Sequence, residues 1–186
     1  MQINRFDFAS LPVSPWRNGG GETREIVCQP AEDANFDWRA SIATIAQDGP
    51  FSAFDGIDRS ITLLEGDGVR LVGDGIDHRL VMPGEPFAFS GDVALQAQLL
   101  GGVSRDFNIM TRRGRWRATV RRQTAACELP AGQAGVWYVL RGDWRLPADV
   151  RLGVRQGGWW PESAQGGPAV PQSDDALALW ADLSRV

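Results

Sequence analysis

Short runs of alternating apolar and polar residues, interrupted by glycine or proline about every 8–12 residues, commit this chain to β-structure. Residues 38–45, 59–64, 69–72, 77–82, 93–99, 106–111 and 115–122 each read as a strand, and turn residues stand between them. The 186 residues include 22 glycines and 11 prolines, a density of breakers that long helices do not tolerate. The pattern predicts an all-β barrel or sandwich. No apolar run is long enough to span a membrane as a helix, so no membrane partner is expected. The first residues show neither the basic nor the apolar region of a secretory signal, and a cytoplasmic location is the expectation.

Charge narrows the partners. The formal net charge is −4 and the sequence pI is about 5.0, the wrong sign for a duplex-binding domain. All 19 basic residues are arginine, so lysine chemistry, including Schiff-base catalysis, has no side chain to use. Cys28 and Cys127 lie far apart and read as free thiols. His78 is the single histidine, so no site with two imidazole ligands can form within one chain. No metal and no other cofactor is expected.

Several segments carry candidate chemistry. Trp16-Arg-Asn-Gly-Gly-Gly-Glu-Thr holds a glycine run that reads either as a plain turn or as a loop approaching a ligand; the Gly-Lys-Ser/Thr of a phosphate loop is missing. In the 38–45 strand, Trp38, Ala40, Ile42 and Thr44 share one face, and Arg39, Ser41, Ala43 and Ile45 the other. Arg39 therefore points either to solvent or into a cavity. Phe51 and Phe54 sit among turn residues, where they cap a core or line a pocket. In the 106–111 strand, Asp106, Asn108 and Met110 oppose Phe107 and Ile109. Six arginines between positions 112 and 122 read as a solvated sheet face. The 59–72 segment resembles 136–146, and the alternating runs 94–99 and 176–183 close each half, which suggests two copies of one β unit. Residues 161–173 read as a loop, and 174–183 fit strand and helical turn equally.

Trp16-Arg-Asn-Gly-Gly-Gly-Glu-Thr-Arg-Glu-Ile, Trp38-Arg-Ala-Ser-Ile-Ala, Gly49-Pro-Phe-Ser-Ala-Phe with Gly56 and Arg59, Leu63-Leu-Glu-Gly, Pro86-Phe-Ala-Phe and Asp106-Phe-Asn-Ile-Met-Thr-Arg together resemble the HutD/Ves family over roughly residues 1–145. The resemblance implies a bicupin, two tandem double-stranded β-helix (jelly-roll) barrels, here expected at 1–110 and 111–186 with strands open to exchange between the halves. It also implies a link to the bacterial histidine-utilisation operon. An ordinary cupin holds a metal on three histidines and a glutamate. Here Pro83-Gly84-Glu85 is followed by Phe87 where an imidazole would stand, so that site cannot be assembled.

The expected function is metal-independent binding of a small carboxylate of histidine catabolism, of urocanate or formylated-glutamate type, that tunes expression of the pathway. Arg39 and Arg59 offer planar donor forks. Asn18, Thr23, Ser41, Asp106 and Asn108 offer hydrogen bonds, and Trp16, Phe54 and Met110 offer apolar walls. A buried arginine needs Asp106 or an incoming carboxylate. The alternative is a metal-free isomerase or hydrolase with Asp106, Glu22, Glu25 or His78 as base. Exposed sheet edges favour a homodimer.

Overall fold

The computed structural model describes residues 1–31 and 34–186. Among these, nineteen strands form: β1 Asn4–Asp7, β2 Val13–Pro15, β3 Gly21–Gln29, β4 Trp38–Ile45, β5 Gly49–Phe51, β6 Ile57–Glu65, β7 Val69–Gly73, β8 Ile76–Leu80, β9 Pro86–Ser90, β10 Leu95–Leu99, β11 Ser104–Arg112, β12 Trp116–Gln123, β13 Cys127–Leu129, β14 Ala134–Arg141, β15 Trp144–Leu146, β16 Val150–Leu152, β17 Gln156–Trp160, β18 Gly167–Pro171 and β19 Leu177–Arg185. The described helical residues are two single 3-10 turns, Phe8–Ser10 and Pro147–Asp149. The chain is all-β, and no helix is long and apolar enough to cross a membrane.

Two compact units emerge. One is residues 12–117; the other joins residues 1–11 to 118–186. The 12–117 unit has a six-stranded sheet, β2-β3-β4-β11-β6-β9, and a four-stranded sheet, β5-β10-β7-β8. Ile45, Ile61, Leu63 and Phe89 from the first sheet pack with Phe51, Val69, Leu71, Leu80, Leu95 and Ala97 from the second. In the other unit the sheets are β1-β17-β14-β19-β12 and β13-β18-β15-β16. Its core is built on Trp137, Trp144 and Trp160, all fully buried, with small alanines filling between them. Each such buried side chain contributes about 2 kcal/mol or more by leaving water.

The two units share one strand order. Replacing β4-β11-β6-β9 by β12-β19-β14-β17, and β5-β10-β7-β8 by β13-β18-β15-β16, maps one onto the other. The 59–72 and 136–146 segments are equivalent in this mapping, as β6–β7 and β14–β15. The closing runs are not: 95–99 is β10, whose counterpart is β18, whereas β19 corresponds to β11.

Three further features differ from the sequence reading. First, the sheets do not close into barrels. Between the edge strands β8 and β9, side chains stack where a backbone ladder would run: His78 lies on Phe87 with ring centroids 3.9 Å apart. Second, 161–173 is not simply a loop. It contains β18, whose Pro168 and Pro171 are tolerated because its ladders with β13 and β15 are only three and two residues long. Third, 177–185 is a strand, drawn into the sheet by its long pairing with β14.

Candidate functional site

Alternation along β4, β6 and β11 stacks polar side chains on the inner face of the six-stranded sheet. Residues directly opposite on paired strands share a face. One row runs Cys28, Arg39, Met110, Arg59, Phe89 across β3, β4, β11, β6 and β9. The next runs Glu25, Ser41, Asn108, Ile61, Phe87, and a third Thr23, Ala43, Asp106, Leu63. A bulge in β3 between Glu25 and Val27 puts both Glu25 and Cys28 on this inner face.

These rows line a cavity of about 450 Å³. It brings together Trp16, Asn18, Thr23, Arg39, Ser41, Phe54, Arg59, Asn108 and Met110. Pro15, Arg17, Ala43, Pro50, Phe51 and Ser52 complete the wall. Asp106 is not among the lining residues; it sits in the next row, opposite the lining residue Ala43. His78 lies at a sheet edge, also outside the lining.

Arg59 dominates the electrostatics. Its side chain is 8% exposed, and no carboxylate among the described residues pairs with it. Nη1 donates to the Ser52 carbonyl at 3.3 Å, and the buried Nε has no acceptor. Phe51, Phe54 and Phe89 surround the guanidinium at 5.8, 5.2 and 5.1 Å from its carbon to the ring centroids. Their faces soften the cost of burial but supply no counter-charge. Burial, and next the Arg39 charge, pull the Arg59 pKa down to about 10, so it remains cationic at neutral pH. Such a group is expensive unless an anion meets it.

Arg39 lies two strands away, with Met110 between them. Its Nε donates to Glu25 Oε1 at 2.9 Å. Trp16 forms the apolar wall: its indole Nε1 donates to Thr23 Oγ1 at 2.8 Å, and the ring meets Phe51 edge-on at 5.8 Å. The glycine run is a hairpin turn. Gly19 takes φ +73°, Gly20 N–H donates to Asn18 Oδ1 at 2.8 Å, and the Gly20 carbonyl accepts from Ala46 and Gln47.

Asp106 is fully buried. The Ser104 hydroxyl donates to Oδ1 at 3.1 Å, while Oδ2 has no partner. Burial pushes its carboxyl up to about 7, against the weaker opposing pull of that hydroxyl. It does not neutralise Arg59, because the two lie in different rows of the sheet.

The lining fits no divalent metal. It offers hydroxyls, amides, a thioether and three guanidinium groups, and no imidazole, thiolate or carboxylate. Among the described residues no three His, Cys, Asp or Glu side chains gather to hold an ion. The sequence offers Phe51 only as a turn aromatic that caps a core or lines a pocket, and it marks neither Ser52 nor Phe89 as neighbours of Arg59, nor Glu25 as the partner of Arg39. Glu25 shares the inner face with Thr23 by alternation, but nothing in the sequence marks the β3–β4 register that brings it beside Arg39.

The HutD family model matches residues 9–177. Protein Ves of Cronobacter sakazakii is 44% identical over 160 residues, covering 86% of this chain and 87% of that protein. Among solved structures, HutD from Pseudomonas fluorescens SBW25, in a formate condition, superposes with a TM-score of 0.85 at 28% identity over the whole of both chains. A conserved protein of unknown function from Pseudomonas aeruginosa PAO1 gives 0.87 at 26% identity, covering 99% of this chain and all of the other. More distant structural neighbours are cupin-like and share the fold alone. By sequence and by fold, the chain belongs to the HutD family.

Proposed function

We propose that the 12–117 unit binds a small carboxylate on Arg59, without a metal, and that the protein acts as a metabolite sensor. One observation carries this reading: a guanidinium, more than nine-tenths buried, faces a 450 Å³ cavity with no acidic partner among the described residues and with an unbonded Nε. A ligand carboxylate supplies the charge and the acceptors that the protein withholds. Trp16, Phe51, Phe54 and Met110 form an apolar wall for the remainder of the ligand, and Ser41, Thr23 and Asn108 orient it. A flat acid such as urocanate suits the aromatic wall, and family membership makes histidine catabolites the first compounds to test. Tuning of histidine-utilisation expression follows from the same reading. We also read the repeated eight-strand order as a bicupin with open barrels.

Thermal unfolding with urocanate and N-formylglutamate tests the proposal. A ligand at a hundredfold excess over Kd should stabilise the fold by about 2.7 kcal/mol. Arg59→Met should abolish that shift. No shift of the unsubstituted protein at millimolar ligand would sink the sensor reading.

Asp106 favours a second reading, a metal-free enzyme. Its carboxyl near pH 7 is matched to proton transfer, and it adjoins the lining residue Ala43. Turnover of either compound, lost in Asp106→Asn with binding retained, would select it.

A further inference from the structure

Arg39 and Arg59 flank Met110 on the same row of the sheet, roughly 10 Å apart between Cα atoms at normal strand spacing. Two cations so placed would suit two carboxylates. They are not equivalent, however. Glu25 Oε1 accepts from Arg39 Nε at 2.9 Å, whereas Arg59 has no acidic partner among the described residues. The same bond leaves the two terminal nitrogens of Arg39 unbonded among the described residues. Plain alternation from the lining residue Thr23 puts Glu25 on the same inner face, directly opposite the lining residue Ser41.

We propose that Glu25 sets the charge of the ligand: it cancels one of the two cations, aims the Arg39 fork into the cavity, and makes the site selective for a single carboxylate over a dicarboxylate. This rests on the carboxylate-binding reading above. No lining residue is acidic, and among the described residues Glu25 is the carboxylate that pairs with Arg39. Arg17 also lines the cavity but is solvent-exposed, so its charge is screened. Both members of the Glu25–Arg39 pair are partly exposed, at 42% and 26%. The pair therefore adds little to stability, and Glu25 can be changed without unfolding the sheet.

Calorimetric titration with pentanoate and glutarate, which share five carbons and differ by one carboxylate, tests it. The unsubstituted protein should bind pentanoate more tightly. Glu25→Gln keeps an acceptor for Arg39 Nε but removes the charge, and should raise the glutarate-to-pentanoate affinity ratio about tenfold. Glu25→Ala loses the aim as well and should weaken pentanoate. An unchanged ratio in Glu25→Gln, or a preference for glutarate in the unsubstituted protein, overturns the role of Glu25 and leaves carboxylate binding standing. Binding of neither acid overturns both.

Discussion

At the scale of single residues, the inner face of the six-stranded sheet carries a destabilising charge, which the proposed ligand would answer. Arg59 keeps a buried charge that the apo fold does not compensate. Arg59→Met fills similar volume without that charge, so beyond losing ligand it should stabilise the ligand-free protein by about 1–3 kcal/mol, read from urea unfolding. Asp106 gives a pH signature. Its carboxyl titrates near 7 when folded and near 3.8 when unfolded. Between those values the unfolded chain has released a proton that the folded one retains. Stability from this group is therefore fully present below about pH 4, falls as pH rises, and is lost above about pH 7, by up to ~4 kcal/mol. Asp106→Asn should flatten that slope in denaturant titrations run across the interval. Arg39, Ser41, Asn108 and Met110 were legible in sequence because strand alternation alone fixes which side chains share a face. The pairing of Arg39 with Glu25 was not legible, since it depends on the register between β3 and β4, which neither strand's own sequence fixes. Asp106 does not answer Arg59 because register decides neighbours: Asp106 pairs with Leu63 and Arg59 with Met110, a register that no single strand reveals.

At the scale of elements, the hairpin β2–β3 does most to shape the cavity rim. Its glycines serve geometry rather than phosphate binding. A Cβ on Gly21 would collide with the Thr44 carbonyl oxygen and come within 3.0 Å of the Trp16 ring. Gly21→Ala should therefore displace Trp16 and destabilise the fold by about 1–3 kcal/mol, with a shift in tryptophan emission as a second readout. Most strands were visible as alternating runs, because short half-buried strands need that pattern. β18 was hidden by its own composition: Gly167, Pro168 and Pro171 signal a turn, yet brief ladders on either side leave those residues few backbone obligations. The repeat was recognisable through β6–β7 and β14–β15, where a Gly-Asp turn separates two strands. Its closing strands were mismatched because spatial equivalence follows pairing partners rather than order of appearance.

At the scale of the whole molecule, the two units divide the tryptophans unequally. Trp137, Trp144, Trp159, Trp160 and Trp180 belong to the 1–11/118–186 unit, and of the eight only Trp16 lines the cavity. Ligand binding should therefore change a minor fraction of the total emission, and Trp16→Phe should remove that change while the protein remains folded. Fluorescence titration of both proteins checks it. Undiminished quenching in Trp16→Phe would place the ligand elsewhere.

β1 pairs with β17, so a segment near position 5 finds its place only beside residues near 157. During translation the ribosome releases all of 12–117 while Gln156–Trp160 is still unsynthesised. The cavity-bearing half can thus mature on the nascent chain, whereas Asn4–Asp7 must wait, its backbone donors and acceptors held by water alone, until the final strands emerge. A fusion partner or tag placed ahead of Asn4 would burden the half that is completed last and spare the half that carries the cavity.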